Sequence, residues 1–217
     1  MNKYWAKKKT MPKCIKKKLE KLISKAKDKK FVCDIKIPDG NIKLFQVDGK
    51  VFKKVFSINR KYLFHGDSTA PANENDFYEN ENYVTENGLS GFSLTKKGWG
   101  CSLFSNQPWN GFAKGVKNII TDKTKKIVCI NSENDFSHNL VDMYENLLGF
   151  SVCATTIDDE KIMREYYGNK FMNNFVKRQG KKPHHVFMIR SKTKPKEIKT
   201  FEDYFEAYEY VDKLEIK

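Results

Sequence analysis

Gly88-Leu-Ser-Gly-Phe-Ser-Leu-Thr95, Trp99-Gly-Cys-Ser-Leu-Phe-Ser105, Gln107-Pro-Trp-Asn-Gly-Phe-Ala113 and Lys126-Ile-Val-Cys-Ile130 follow one another within residues 87–150, and their order decides the fold class. The first two read as strands joined by the tight connection Lys96-Lys97-Gly98. The third carries Pro and Gly, the chemistry of a turn, and opens a helix from Ala113 to about Thr121. The apolar strand 126–130 follows, then a second helix ending Met143-Tyr-Glu-Asn-Leu-Leu-Gly-Phe150. This succession predicts an α/β (α+β) protein built on a mixed, twisted sheet. At the turn, Gly111 lacks a Cβ, so backbone N–H groups converge beside the first turn of a helix, where unpaired donors and the positive end of the macrodipole favour an anion. A Gly in a strand-to-helix turn also has a purely geometric use, and that reading stays open.

Outward from this segment, the charge is unevenly distributed. The chain of 217 residues has 41 Lys and Arg against 27 Asp and Glu, a formal charge of +14. Residues 1–30 hold thirteen of the lysines against Glu20 and Asp28 alone, so most of the excess belongs to one element. Thr10 and Pro12 are suitable starting residues for a helix there, and Ile15, Leu19, Leu22, Ile23 and Ala26 recur at helical spacing. The result is a basic amphipathic helix. It suits an anionic partner such as nucleic acid, an anionic membrane surface or an acidic protein, or it is a docked helix with a solvated lysine face.

Residues 31–37 and 42–47 read as strands around Pro38-Asp39-Gly40-Asn41. Asp48-Gly49 reads as another turn, and residues 51–58 as a third strand. The polar run 67–86 reads as a surface loop. Beyond Gly149 come a strand at 150–156, a helix at 160–179 interrupted at Gly168-Asn169, and a strand at 184–190. A short linker then leads to an acidic, aromatic helix over 201–211. The organisation expected is a basic helix (1–30), one α/β domain (31–190, with a β-rich first half to 82), and a linker with a C-terminal helix (191–217).

Five cysteines, an odd number without C-x-x-C spacing, argue against a disulfide framework or a zinc ribbon. His184 and His185 are adjacent on a predicted strand and point to opposite faces, so no metal site is expected. No apolar run is long enough to span a bilayer, and the N-terminus lacks the apolar stretch of a secretory signal. The expected setting is a reducing cytoplasm.

Pro108-Trp-Asn-Gly111-Phe-Ala113 after a hairpin, and Tyr144-Glu-Asn-Leu-Leu-Gly149-Phe150 closing a helix, resemble two motifs of the GNAT superfamily of N-acetyltransferases. Those motifs are a turn Gln/Arg-x-x-Gly-x-Gly/Ala and a helix end Tyr-x-x-x-Gly-Phe. Both matches are approximate. Pro108 stands where Gln or Arg is usual, with Gln107 one position early, and the Tyr-to-Gly spacing is one residue longer. The resemblance spans roughly Tyr83 to Arg190, with His184-His-Val-Phe-Met-Ile-Arg190 similar to the family's last strand.

The resemblance implies direct transfer of an acetyl group from acetyl-CoA, a cosubstrate, to an amine acceptor. It places the pyrophosphate on Gln107, Asn110, Gly111, Phe112 and Ala113. The pantetheine arm would lie along the main chain of Cys101, Leu103 and Phe104. Tyr144 would be the proton donor to the departing thiolate. Glu133 or Asp135, just beyond the strand ending at Ile130, is a candidate general base, and both residues also suit helix capping. Two other readings stay open. One is a non-catalytic accessory or binding protein, of phage or mobile-element type, that keeps the fold. The other is a nucleic-acid-associated protein acting through residues 3–30.

Overall fold

The computed structural model describes residues 10–37, 40–63, 77–107, 112–131, 140–157, 160–193 and 195–216. The protein is a mixed α/β chain with nine strands and eight helices among the described residues. Its contacts divide it into two compact units, one from residues before 120 and the other from 120 onward.

In the first unit, helix α1 (Lys13–Ser24) begins after Pro12, as the spacing predicts, and buries Leu19 and Ile23. Burial of each is worth about 2 kcal/mol. Strands β1 (Lys30–Ile37) and β2 (Gly40–Val47) form an antiparallel hairpin. Helix α2 (Gly49–Arg60) follows, where a third strand was expected over 51–58. The Val and Phe content favours a strand, but Phe52, Val55, Phe56 and Asn59 recur at helical spacing and are all buried. Asp48, read as part of a turn, is the N-cap, its carboxylate accepting from the Val51 amide at 2.8 Å.

Strand β3 (Glu81–Thr85) replaces the later part of the expected surface loop. Its polar residues are buried because they are bonded: Asn82 donates to the Phe77 and Asn80 carbonyls and accepts from the Ser93 hydroxyl. Strands β4 (Ser90–Leu94) and β5 (Trp99–Ser105) match the predicted hairpin, closed by Gly98 at φ 80°. The five strands run β1-β2-β3-β4-β5, antiparallel throughout.

Adjacent residues of a strand point to opposite faces, and both faces here are covered. On one, Val84 and Phe104 join Phe52, Phe56 and Phe77 of α2 and its loop, with Leu19 and Ile23 of α1. On the other, Tyr83 stacks on Phe92 at 4.7 Å, and Phe92 meets Phe112. The helix predicted over 113–121 is two pieces, α3 (Phe112–Gly115) and α4 (Lys117–Lys123), parted at Val116. Gly115 allows α3 to lie against β1, since a Cβ there would sit 2.3 Å from Ile35 Cγ2.

The second unit contains β6 (Lys126–Ile130), α5 (Leu140–Leu148), β7 (Ser151–Thr156), α6 (Glu160–Tyr167), α7 (Asn169–Gln179), β8 (His185–Ile189), β9 (Lys199–Phe201) and α8 (Tyr204–Asp212). The strand order is β6-β8-β7-β9, antiparallel except for the parallel pair β7 and β9. Gly149, at φ 72°, ends α5 by returning its amide to the Glu145 carbonyl at 3.1 Å. The break between α6 and α7 falls at Gly168, where the interruption was expected. Ile130, Met163, Met172 and Phe175 pack together. The acidic C-terminal helix starts later than expected, at Tyr204, because Phe201 belongs to β9 and Asp203 caps α8. No described helix is long and apolar enough to cross a membrane.

Candidate functional site

Strand β5 does not pair one-to-one with β4. Gly91 faces Phe104 and Ser93 faces Cys101, so Ser102 and Leu103 together oppose Phe92. This is a β-bulge, and it holds Ser102 at φ 55°, the only non-Gly residue with positive φ among the described residues. An L-residue in that region costs about 1 kcal/mol or more, and strain of this kind concentrates where a strand re-aims its backbone toward a site. The bulge falls inside the stretch Cys101–Phe104 expected to carry the pantetheine arm.

The side chains of that stretch have divided roles. Phe104 is buried against Phe52 and Phe56, with ring centroids 6.0 and 5.6 Å apart, so only its main chain can serve a ligand. Cys101 is half-buried and accepts from Asn80 Nδ2 at 3.8 Å. Leu103 is half-buried within the bulge.

The end of β5 is tied down by a polar network. Ser90 and Ser105 share a hydroxyl contact of 2.8 Å. Asn106 donates through Nδ2 to the carbonyl and Oδ1 of Asn59, at 3.0 and 2.9 Å, and through its amide to the Leu89 carbonyl. Asn59 donates in turn to the Gly88 carbonyl at 2.7 Å. Gln107 is buried, and its side-chain amide exchanges two hydrogen bonds with that of Asn87, at 3.1 and 3.3 Å. These bonds tie the Gln107 side chain to Asn87 within the fold. Asn110 and Gly111 lie outside the described residues. Phe112 is buried against Phe92, and Ala113 is half-buried on α3. With only four residues, α3 supplies little of the macrodipole that the longer expected helix would bring.

The remaining candidates belong to the second unit. Tyr144 sits on α5 with its ring edge-on to Phe150 at 6.5 Å. Burial, and secondarily the Cys129 thiol, push its phenol well above the ordinary tyrosine range, so it stays protonated. The same shift makes it a weaker proton donor than an ordinary tyrosine. Glu133 and Asp135 lie outside the described residues. His184 contacts Asn131 Nδ2 through Nδ1 at 2.6 Å, and His185 is buried with its ring 4.5 Å from that of Tyr204. Burial also raises the Cys129 and Cys153 thiols to about 12, which leaves both inert as nucleophiles at neutral pH.

The structure thus gathers Cys101, Leu103, Phe104, Gln107, Phe112 and Ala113 along one strand and its exit. The residues missed were Ser102, Asn59, Asn87 and Asn106. Ser102 gives no sequence signal, because serine is ordinary in a strand. The three asparagines are polar residues beside apolar runs, a pattern that marks a buried network only once the fold is known. No protein-family model matches the chain, and no curated protein or solved structure matches it.

Proposed function

We propose that the chain is an acyl-CoA-dependent N-acyltransferase of GNAT type, taking acetyl-CoA as cosubstrate and an amine as acceptor. The observation that carries the reading is the bulge at Ser102. Pantetheine presents amide groups in series, much as a peptide strand does, and is held best by main-chain donors and acceptors of a strand. A bulge turns consecutive peptide groups out of the ladder and supplies such a row. The strand-then-helix order β2–α2 is a second support, since the acetyltransferase fold opens with a strand followed by helices.

In this reading Cys101 to Phe104 hold the pantetheine arm, and the amides from Asn110 to Ala113 hold the pyrophosphate. The acceptor amine, once neutral, attacks the thioester carbonyl. The C–N bond forms, the C–S bond breaks, and the departing thiolate takes up a proton; the GNAT resemblance gives the role of donor to Tyr144. Glu133 is the candidate base that receives the proton from the amine.

Calorimetric titration of CoA and acetyl-CoA into the protein and two variants tests this. Ser102→Gly keeps the positive φ and retains binding, whereas Ser102→Pro cannot adopt it and loses binding. Circular dichroism checks that both variants are folded. Equal binding by a folded Ser102→Pro variant refutes the role given to the bulge, and no binding by the native protein refutes the acyltransferase reading.

A further inference from the structure

We infer that α1 and the adjoining edge strand β1 form a surface for single-stranded nucleic acid, bound mainly through its phosphates. The inference is independent of the acyltransferase reading. Lys13, Lys17, Lys21 and Lys25 stand four residues apart on the exposed side of α1, about 6 Å apart along its axis. None of the four makes an ion pair among the described residues. Like charges at this spacing repel by a few tenths of a kcal/mol per pair. The helix keeps that repulsion because Leu19 and Ile23 anchor its other side, and a row of phosphates would relieve it.

Three features select the partner. A bilayer would need the apolar face of α1, but Leu19 and Ile23 are 0% and 1% exposed and belong to the protein core. The basic charge within residues 1–30 is entirely lysine, without arginine, which gives point charges suited to a phosphate backbone rather than the forked geometry that reads base edges. Finally, β1 lies at the end of the strand order and presents Phe31, 56% exposed. Phe31 leans edge-on against Phe45 at 6.1 Å, and Lys29 lies over the Phe45 ring while donating to the Ile23 and Ser24 carbonyls at the end of α1.

A cleft of about 530 Å³ opens between α1 and the β1–β2 hairpin, lined in part by Glu20, Ser24, Asn41, Phe45 and Asn87. Its carboxylate and amide groups can accept from base N–H groups, the N3–H of thymine included, so phosphates follow the lysine row while an unpaired base enters the cleft or stacks on Phe31.

Fluorescence anisotropy with labelled oligo(dT), and with a duplex of the same length, tests the surface. For the native full chain, affinity falls steeply between about 50 and 200 mM salt. Replacing the four lysines by glutamine reduces the log–log salt slope by about 3, at roughly 0.7 per lost phosphate contact on a single strand. Phe31→Ala weakens oligo(dT) binding about tenfold and leaves duplex binding unchanged. CoA titration of the same variants is unaffected. An unchanged slope in the folded quadruple variant overturns the inference. So does a native protein that ignores oligo(dT) but binds phosphatidylserine vesicles, which would assign the face to a membrane.

Discussion

Replacing Asn59 by Asp and, separately, by Leu tests the network that anchors the exit of β5. Asn59 is wholly buried in the last turn of α2. Its Nδ2 donates to the Val55 and Gly88 carbonyls at 2.9 and 2.7 Å, and its Oδ1 accepts from Asn106 at 2.9 Å. Leucine fills a similar volume but deprives the Gly88 carbonyl of this donor and Asn106 of one acceptor. An orphaned buried group costs about 1–3 kcal/mol and a lost neutral hydrogen bond about 1, so Asn59→Leu should lose about 3 kcal/mol.

Aspartate keeps the shape but points an oxygen at two carbonyls. Burial and those carbonyls disfavour its ionised form and raise its folded pKa above the unfolded value near 3.9. The linkage sign follows. Between the unfolded and folded pKa values the native state binds the proton that the unfolded state has released, so stability falls as pH rises, by up to about 1.4 kcal/mol per pH unit. Urea melts at about pH 5 and about pH 8 should therefore show a deficit that grows with pH for Asn59→Asp and stays constant for Asn59→Leu, each measured against the native protein at the same pH. For a chain of this size, 3 kcal/mol corresponds to about 6–12 °C in Tm. Equal, pH-independent losses in both variants would refute the assignment of Nδ2 to the two carbonyls.

Gly91→Ala places a Cβ 2.5 Å from the Tyr83 carbonyl oxygen and 3.0 Å from two ring atoms of Phe104. Because the first of these contacts is backbone, thermal melts should show a loss of about 2–3 kcal/mol; a neutral outcome would mean that β3 and β4 are not held in this register. Cys129 and Cys153 have thiols raised to about 12, so they stay protonated in the folded chain while the unfolded chain ionises them near pH 9. Stability should therefore decline between about pH 9 and 12, and a Cys129→Ala, Cys153→Ala variant should flatten that limb when compared by denaturant melts. In the native protein at mildly alkaline pH, exposed Cys14 should react with a thiol reagent while Cys129 and Cys153 react only after unfolding.

The β4–β5 hairpin, β6 and the Gly149 end of α5 were legible because each carries its own local signal: strand patterning, turn glycines and a positive-φ helix stop. Helix α2 was not legible, because Val51, Phe52, Val55 and Phe56 have strand-like composition and only burial on one face discloses the helical period. Strand β3 hid for the opposite reason. Asn82 and Thr85 look like loop residues, yet each finds partners inside the fold, Thr85 through Asn87 and the Ser90 backbone. The sequence pointed to Cys101 to Ala113 as a candidate stretch, but the bulge within it was not legible. A bulge depends on the register between two strands, so the positive φ of Ser102 could not be read from the serine itself. Residues 113–121 likewise carry helix-compatible spacing, while the parting of α3 and α4 at Val116 comes with the packing of Phe112 on Phe92 and of Gly115 on Ile35.

Titration of acetyl-CoA into the native protein is the most direct measurement of the central claim. Micromolar binding that survives Ser102→Gly and disappears in folded Ser102→Pro is the predicted result. A well-folded native protein that takes up neither CoA nor acetyl-CoA would contradict it, and would favour a binding protein that keeps this architecture without the cosubstrate.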